Sequence, residues 1–330
     1  MSLTKLNDYG KNRQPCVFIT DFLGENTYIF SPEEAEKEGL YINCPIQNVP
    51  KNAALHWQIT PPTLEQYAQA YSIAYENLLF GNSYLLNLSA PTHIETNWTL
   101  AQLFQASQAK YKVLWRDEFV CFSPETFVQI RGGKIFSYPM KGTIDASLPD
   151  AAATILQDEK ELAEHYTIVD LIRNDLSQVA RRVHVNKFRY IDTLKTNKGN
   201  SLLQVSSEII GTLPAHYYAH LGDIVAKLLP AGSITGAPKR KTVEIITNAE
   251  SIFNYAHQKQ GEANLPYQRG FYTGICGYFD GTNLDTGVLI RFLERVGKDF
   301  YFKSGGGITT QSTLESEYNE LIQKVYAPIA

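Results

Sequence analysis

The sequence predicts an α+β fold in which mostly antiparallel β-sheets are covered by long helices. Three observations carry this. Strand-like runs are joined by tight turns, as at Arg131-Gly132-Gly133-Lys134 and Asp280-Gly281, which makes neighbouring strands antiparallel. Long amphipathic runs occur among those strands in both halves, and such helices must cover the outer faces of the sheets. No Pro-, Gly- or Ser-rich linker divides the 330 residues, so residues 1–330 are expected to form one continuous domain with two layered halves.

The elements follow in order. Residues 17–19 and 28–30 are short apolar runs of strand type, and residues 1–59 read as a short N-terminal strand region. A helix is predicted over 62–80, where Thr63 and Gln66 form a capping-box pair. A strand over 83–88 follows, and a second helix opens at Thr99 with Gln102 three residues on. Strands are expected over 113–122 and 127–138, the latter folded back at 131–134. The second half opens with a long helix over 151–179 and a strand pair within 202–213. A helix over 217–228 leads through a glycine-rich turn to another over 238–254, with Pro238 suited to a first helical turn. Residues 270–303 read as a meander of strands 271–279, 286–294 and 300–303, and the last helix covers 313–325.

Composition narrows the function. Apolar residues make up 44% and charged residues 19%, an ordinary globular balance that excludes a disordered chain. A net charge of −4 argues against a general nucleic-acid binder, which needs a basic face. No apolar run approaches a membrane span, and the first residues carry no signal-peptide core. Cys16, Cys44, Cys121 and Cys276 lie far apart, against a cysteine zinc site or a disulfide scaffold. The expectation is a soluble cytoplasmic protein with room for an enzyme cleft.

Carboxylates stand where water is not expected. In the last helix Glu317, Glu320 and Lys324 share a stripe on the shoulder of the apolar face Leu314, Tyr318, Leu321 and Val325. In the long helix Glu161 and Glu164 share a stripe with Ile168 and Ile172, so that stripe also points inward. Buried carboxylates are costly unless paired or metal-bound, and oxygen ligands suit Mg²⁺. An ordinary amphipathic helix with solvated glutamates gives the same spacing. Arg291, alternating with Leu289 and Leu293 on the predicted strand 286–294, needs an anion, either a nearby carboxylate or one on a ligand. The glycine-rich runs at 232–239 and 305–307 match neither a Walker loop nor a dinucleotide-binding pattern, so each is a structural turn or an anion-binding terminus. Cys276 reads as a small buried residue, and Lys239-Arg240-Lys241 as a solvated helix face.

These runs add up to a resemblance. Leu229-Pro230-Ala231-Gly232-Ser233-Ile234-Thr235-Gly236-Ala237-Pro238-Lys239 resembles a signature of the chorismate-utilising enzymes, the family of anthranilate, aminodeoxychorismate, isochorismate and salicylate synthases. Val169-Asp170-Leu171-Ile172-Arg173-Asn174-Asp175-Leu176 is similar to a second signature, and Arg269-Gly270-Phe271-Tyr272 with Gly274 to a third. Lys303-Ser304-Gly305-Gly306-Gly307-Ile308, leading to Glu317 and Glu320, resembles a fourth, and Ser123-Pro124-Glu125 and Pro139-Met140-Lys141-Gly142-Thr143 complete the set. The motifs run in order over about residues 60–330, where the resemblance is strongest. The resemblance implies two packed, mostly antiparallel β-sheets wrapped by α-helices. It implies that Glu161, Glu164, Glu317 and Glu320 hold Mg²⁺, which grips the ring carboxylate of chorismate. It places Thr143, Thr235, Tyr272, Arg291, Lys324 and the loop Gly305, Gly306 and Gly307 at the substrate, and makes Glu125 the acid that protonates the departing C4 hydroxyl.

The resemblance also points to a branch. Aminodeoxychorismate synthases resemble Pro-x-Lys-Gly-Thr at 139–143, whereas anthranilate synthases usually have Ala at the position of Lys141. Such a lysine attacks C2 as a neutral amine, and ammonia then adds at C4, so neighbouring cations or burial are expected to lower its pKa. The alternative is a lysine paired with a nearby glutamate. Leu85 stands where isochorismate and salicylate synthases have a water-activating Lys, and Gln204 where many members have His. The chain has no Cys-His-Glu glutaminase set, so ammonia is expected from solution or from a separate glutamine amidotransferase subunit. The N-terminus is shorter than in longer members, so tryptophan inhibition is not expected. An anthranilate or isochorismate synthase, and a non-catalytic chorismate-binding protein, stay open as alternatives.

Overall fold

The computed structural model describes residues 2–47, 49–50, 53–195, 201–255, 265–327 and 329. In chain order the elements are α1 (Lys5–Asn12), β1 (Cys16–Thr20), β2 (Thr27–Phe30), α2 (Pro32–Glu38), β3 (Leu40–Ile42), β4 (Trp57–Thr60), α3 (Leu64–Leu79), β5 (Leu86–Thr96) and α4 (Leu100–Ala106). Strands β6 (Tyr111–Trp115), β7 (Phe119–Ser123), β8 (Thr126–Arg131), β9 (Lys134–Ser137) and β10 (Met140–Asp145) come next, then α5 (Ala151–Gln157), α6 (Glu159–Ser177), β11 (Arg181–Lys195) and β12 (Ser201–Thr212). A 3-10 turn at Tyr217–His220 leads into α7 (Leu221–Leu228), α8 (Gly232–Thr235) and α9 (Lys239–Glu250). The chain ends with β13 (Asn254–Tyr255), β14 (Leu265–Pro266), β15 (Ile275–Phe279), β16 (Leu284–Val288), β17 (Phe292–Val296), β18 (Asp299–Ile308) and α10 (Leu314–Gln323).

Two large sheets organise these elements. One has nine strands in the order β10-β12-β9-β8-β16-β15-β1-β2, with β11 on the free side of β12; the other has seven, in the order β3-β6-β7-β17-β18-β5-β4. Neighbours within them pair antiparallel, as the hairpin turns required. The sheets meet face to face over a layer that includes Ile19, Tyr111, Trp115, Phe119, Cys276 and Phe292. On its outer face the nine-stranded sheet carries α1, α6 and α7 through Leu6, Val169, Leu221 and Val225. The seven-stranded sheet carries α3, α9 and α10 through Tyr67, Ile245 and Leu321. Among the described residues no helix is long and apolar enough to cross a membrane.

Several expectations are corrected. Residues 1–59 contain two helices beside their strands, and the Ser31 side chain caps α2 in a capping box with Glu34. The predicted strand 113–122 is a hairpin, β6 and β7, turning at Arg116, where φ is +49°. The predicted helix 151–179 is broken at Asp158, whose extended backbone ends α5 and whose carboxylate caps α6. The strand pair within 202–213 is one strand, β12, and its long partner β11 was not anticipated. The predicted strand 286–294 is two strands in different sheets, with Leu289, Ile290 and Arg291 between them.

Candidate active site

The chain passes between the sheets twice at one place. From β7 to β8 it crosses through Pro124 and Glu125, and from β16 to β17 through Leu289, Ile290 and Arg291. The crossings lie side by side: Val288 N donates to the Glu125 carbonyl at 3.0 Å, and Phe122 N to the Arg291 carbonyl at 3.0 Å. The acid and the cation expected at the substrate therefore share one corner of the fold. Arg291 adopts φ +56°, a conformation costly for a residue with a Cβ and concentrated at functional corners. The corner opens into a cleft of about 840 Å³, ample for a small carboxylated ring. A second cavity of about 580 Å³, lined by Tyr111, Cys276, Tyr278 and Asp285 among others, contains none of the predicted site residues.

Lys141 reaches the cleft from β10. The β10–β12 register slips between Met140 and Thr143, so Lys141 and Gly142 form a bulge in a strand. Gly142 has φ +86°, and a Cβ there would stand 3.1 Å from Glu161 Oε2, so glycine serves both the bulge and the approach of α6. Lys141 Nζ lies 2.5 Å from Glu164 Oε2. Burial pushes its pKa down, but the charges of Glu164, Glu161 and Glu320 outweigh burial and raise it. The expected lowering is thus overturned: carboxylates, not cations, surround the amine, and its partner is the nearby glutamate that the sequence reading held as the alternative.

Glu161 and Glu164 project from α6 with Ile168 and Ile172 into the cleft, as their stripe predicted. On α10, Glu320 Oε1 pairs with Lys324 Nζ at 2.6 Å, and that ammonium also donates to the Gly305 carbonyl at 2.8 Å. Glu317 is buried: Oε1 accepts from Ser312 Oγ at 2.7 Å, and Oε2 is enclosed with no hydrogen-bond partner among the described residues. Burial, and then the Glu320 charge, raise the Glu317 pKa despite the Ser312 bond. A Cβ on Gly306 would meet Glu317 Oε2 at 3.0 Å, so a larger residue would crowd the carboxylates. Among the described residues no group of three or more His, Cys, Asp or Glu is gathered closely enough to hold a metal ion. The all-oxygen donor set and the orphaned Glu317 oxygen nevertheless suit a hard divalent cation.

Glu125, Lys141, Thr143, Arg291, Gly307 and Lys324 line the cleft, as do Leu85 and Gln204. Arg291 Nη1 donates to the Lys324 carbonyl at 3.0 Å, and no Asp or Glu among the described residues pairs with it. Thr235, Tyr272, Gly305 and Gly306 lie behind the lining: Thr235 bonds backbone carbonyls of its own turn, and Tyr272 is buried between the sheets.

Sequence reasoning passed over other groups here. Lys239 is not on a solvated face: its Nζ lies 2.8 Å from Asp175 Oδ2 and 2.8 Å from the Leu228 carbonyl, whereas Arg240 and Lys241 are exposed. A lysine in the first turn of a helix opposes the macrodipole, and that was the available signal. Ser233 donates to Glu125 Oε1 at 2.7 Å. His165, beside Glu164, is fully buried with Nε2 2.7 Å from Ser207 Oγ.

Two antiparallel sheets with an acid and an arginine at their shared corner, facing two glutamate-bearing helices, frame a cleft lined by ionisable side chains of both signs. Residues 25–330 match the family described as chorismate binding enzyme, and the chain belongs to that family. The match begins well before residue 60. A Haemophilus influenzae relative named "Uncharacterized PabA-like protein" is 49% identical over 99% of this chain and 96% of its own length. Aminodeoxychorismate synthase component 1 of Escherichia coli is 32% identical, matching 82% of this chain and 58% of its own length, so this chain spans a little over half of that relative. The solved anthranilate synthase component I from Streptococcus pneumoniae shares the fold, with a TM-score of 0.67 and 23% identity over 86% of this chain and 62% of that one.

Proposed function

We propose that this chain aminates chorismate at C4 to give 4-amino-4-deoxychorismate, as an ammonia-using aminodeoxychorismate synthase component. The observation that carries this reading is Lys141, presented by the β10 bulge in the same cleft as Glu125 and Arg291. Arg291 and Lys324 orient the substrate carboxylates. Glu161, Glu164, Glu317 and Glu320 would hold Mg²⁺, which when bound neutralises a carboxylate of the substrate. Lys141, having lost its ammonium proton to solvent, forms a bond from Nζ to C2. Both ring double bonds shift, from C1=C2 to C1=C6 and from C5=C6 to C4=C5, the C4–O bond breaks, and the oxygen takes the Glu125 proton and leaves as water. Ammonia then bonds to C4, the C2–Nζ bond breaks, and Lys141 departs as the free amine. The net change is chorismate plus ammonia to aminodeoxychorismate plus water, with ammonia from solution or from a separate glutamine amidotransferase.

The raised Lys141 pKa fits a rate that climbs with pH, since both Lys141 and ammonia act unprotonated. The test is purified protein with chorismate, Mg²⁺ and ammonium, products resolved by chromatography. Aminodeoxychorismate is expected, and Lys141→Ala should lose its formation by roughly a hundredfold or more while still binding chorismate. Anthranilate or isochorismate as the product, or a Lys141→Ala variant of near wild-type rate, overturns the reading.

A further inference from the structure

We propose that Ser233 is a positioning residue for the Glu125 carboxyl group, its hydroxyl fixing which carboxyl oxygen faces the cleft. The proposal rests on the reading of Glu125 as the acid of the amination. Ser233 Oγ donates to Glu125 Oε1 at 2.7 Å. Oε2 accepts no hydrogen bond among the described residues and is not an enclosed atom, while Glu125 lines the cleft. One oxygen is therefore tied back and the other is presented.

The turn that carries Ser233 is held on both sides. A Cβ on Gly232 would stand 2.4 Å from Asp175 Oδ2, the oxygen that pairs with Lys239. Gly236, at φ +62°, packs so closely on β5's approach that a Cβ would stand 1.9 Å from the Leu85 carbonyl oxygen. Neither glycine tolerates a side chain, so the four-residue helix α8 has little freedom and the Ser233 hydroxyl is presented at a fixed place.

The chemistry follows from the donor direction. With Oε1 accepting from Ser233, the acid proton resides on Oε2. When the C4–O bond breaks, that proton goes to the leaving oxygen, water departs, and the carboxylate left behind keeps a charge-assisted bond from Ser233. Solvent reprotonates Oε2 before the next turnover. Burial raises the Glu125 pKa, while the Ser233 bond and the Lys324 charge oppose it.

The test uses the full chain as Ser233→Ala and Ser233→Thr, with Glu125→Gln as the reference. In the amination assay, Ser233→Ala should lower kcat about tenfold or more with the chorismate KM within about twofold, and Ser233→Thr should restore most of it. Carbon-13 NMR of labelled glutamate, with the Glu125 signal assigned by its loss in Glu125→Gln, should show the carboxyl midpoint about half a unit or more higher in Ser233→Ala. An unmoved midpoint overturns the positioning role whatever the reaction is. A moved midpoint with wild-type kcat overturns its part in turnover. Near wild-type turnover by Glu125→Gln instead removes the acid reading, and the NMR midpoint then decides the hydrogen bond alone.

Discussion

Buried ionisable side chains give this protein its sharpest residue-scale behaviour. His165 is fully enclosed, and burial, with Arg189 adding to it, pushes its pKa down to about 4 from an ordinary 6.5. The ring is neutral in the native state, so between pH 6.5 and 4 the unfolded chain binds the extra proton. Stability from this group is complete above pH 6.5 and is lost as pH falls towards 4. Between pH 7 and pH 5 the loss is about 2 kcal/mol. Urea unfolding at both pH values in chelated buffer should show that loss shrinking in His165→Gln; equal losses in the two proteins would refute the assignment.

Breaks decide the architecture at the scale of elements. The segment Asp158, Glu159 and Glu161 is an acidic helix start, and Asp158 Oδ1 accepts from Glu161 N at 2.9 Å. This cap sets the first turn of α6, which carries Glu161 and Glu164. Asp158→Ala is expected to lower unfolding free energy by about 1 kcal/mol in urea titration, and no change would mean that α5 and α6 can run on as one helix. Strand β11 escaped prediction because Arg181, Arg182, His184, Asn186 and Lys187 are exposed, and a polar strand beyond β12 reads as a loop. The break between β16 and β17 escaped because apolar alternation continues across Arg291, and only its left-handed backbone turns the chain into the other sheet.

Across the whole molecule, a buried ionic network ties the seven-stranded sheet to its helical cover and to the loop before β15. Arg269 donates to both carboxylate oxygens of Glu250 on α9, at 2.8 and 2.5 Å, and to the Asn87 carbonyl of β5 at 2.6 Å. Lys303 of β18, 1% exposed, pairs with Glu294 at 2.8 Å and donates to the Gln268 and Arg269 carbonyls. Removing one member leaves a buried charge without its partner. Arg269→Met should cost about 3–5 kcal/mol in denaturant unfolding, and Arg269→Met with Glu250→Gln less than the sum of the single changes. Additive effects would show that the two side chains act independently.

The local pattern alone determined the antiparallel strands, the capped starts at Thr63 and Thr99, the inward stripes of Glu161, Glu164, Glu317 and Glu320, and the family motifs. Each is a short-range matter: turn chemistry, capping geometry and helical or strand period act between residues a few positions apart. The same pattern exposed Arg291 as a charge lacking an anion. Only the tertiary structure decided that Glu125 and Arg291 share one corner of the cleft, because adjacent crossings between sheets join segments far apart in sequence. It also decided the direction in which the Lys141 pKa moves, since the carboxylates around its amine come from α6 and α10, and an amine's pKa follows its neighbours in space. Ser233 and Lys239 acquired their partners in the same way, from chain segments that no periodicity connects.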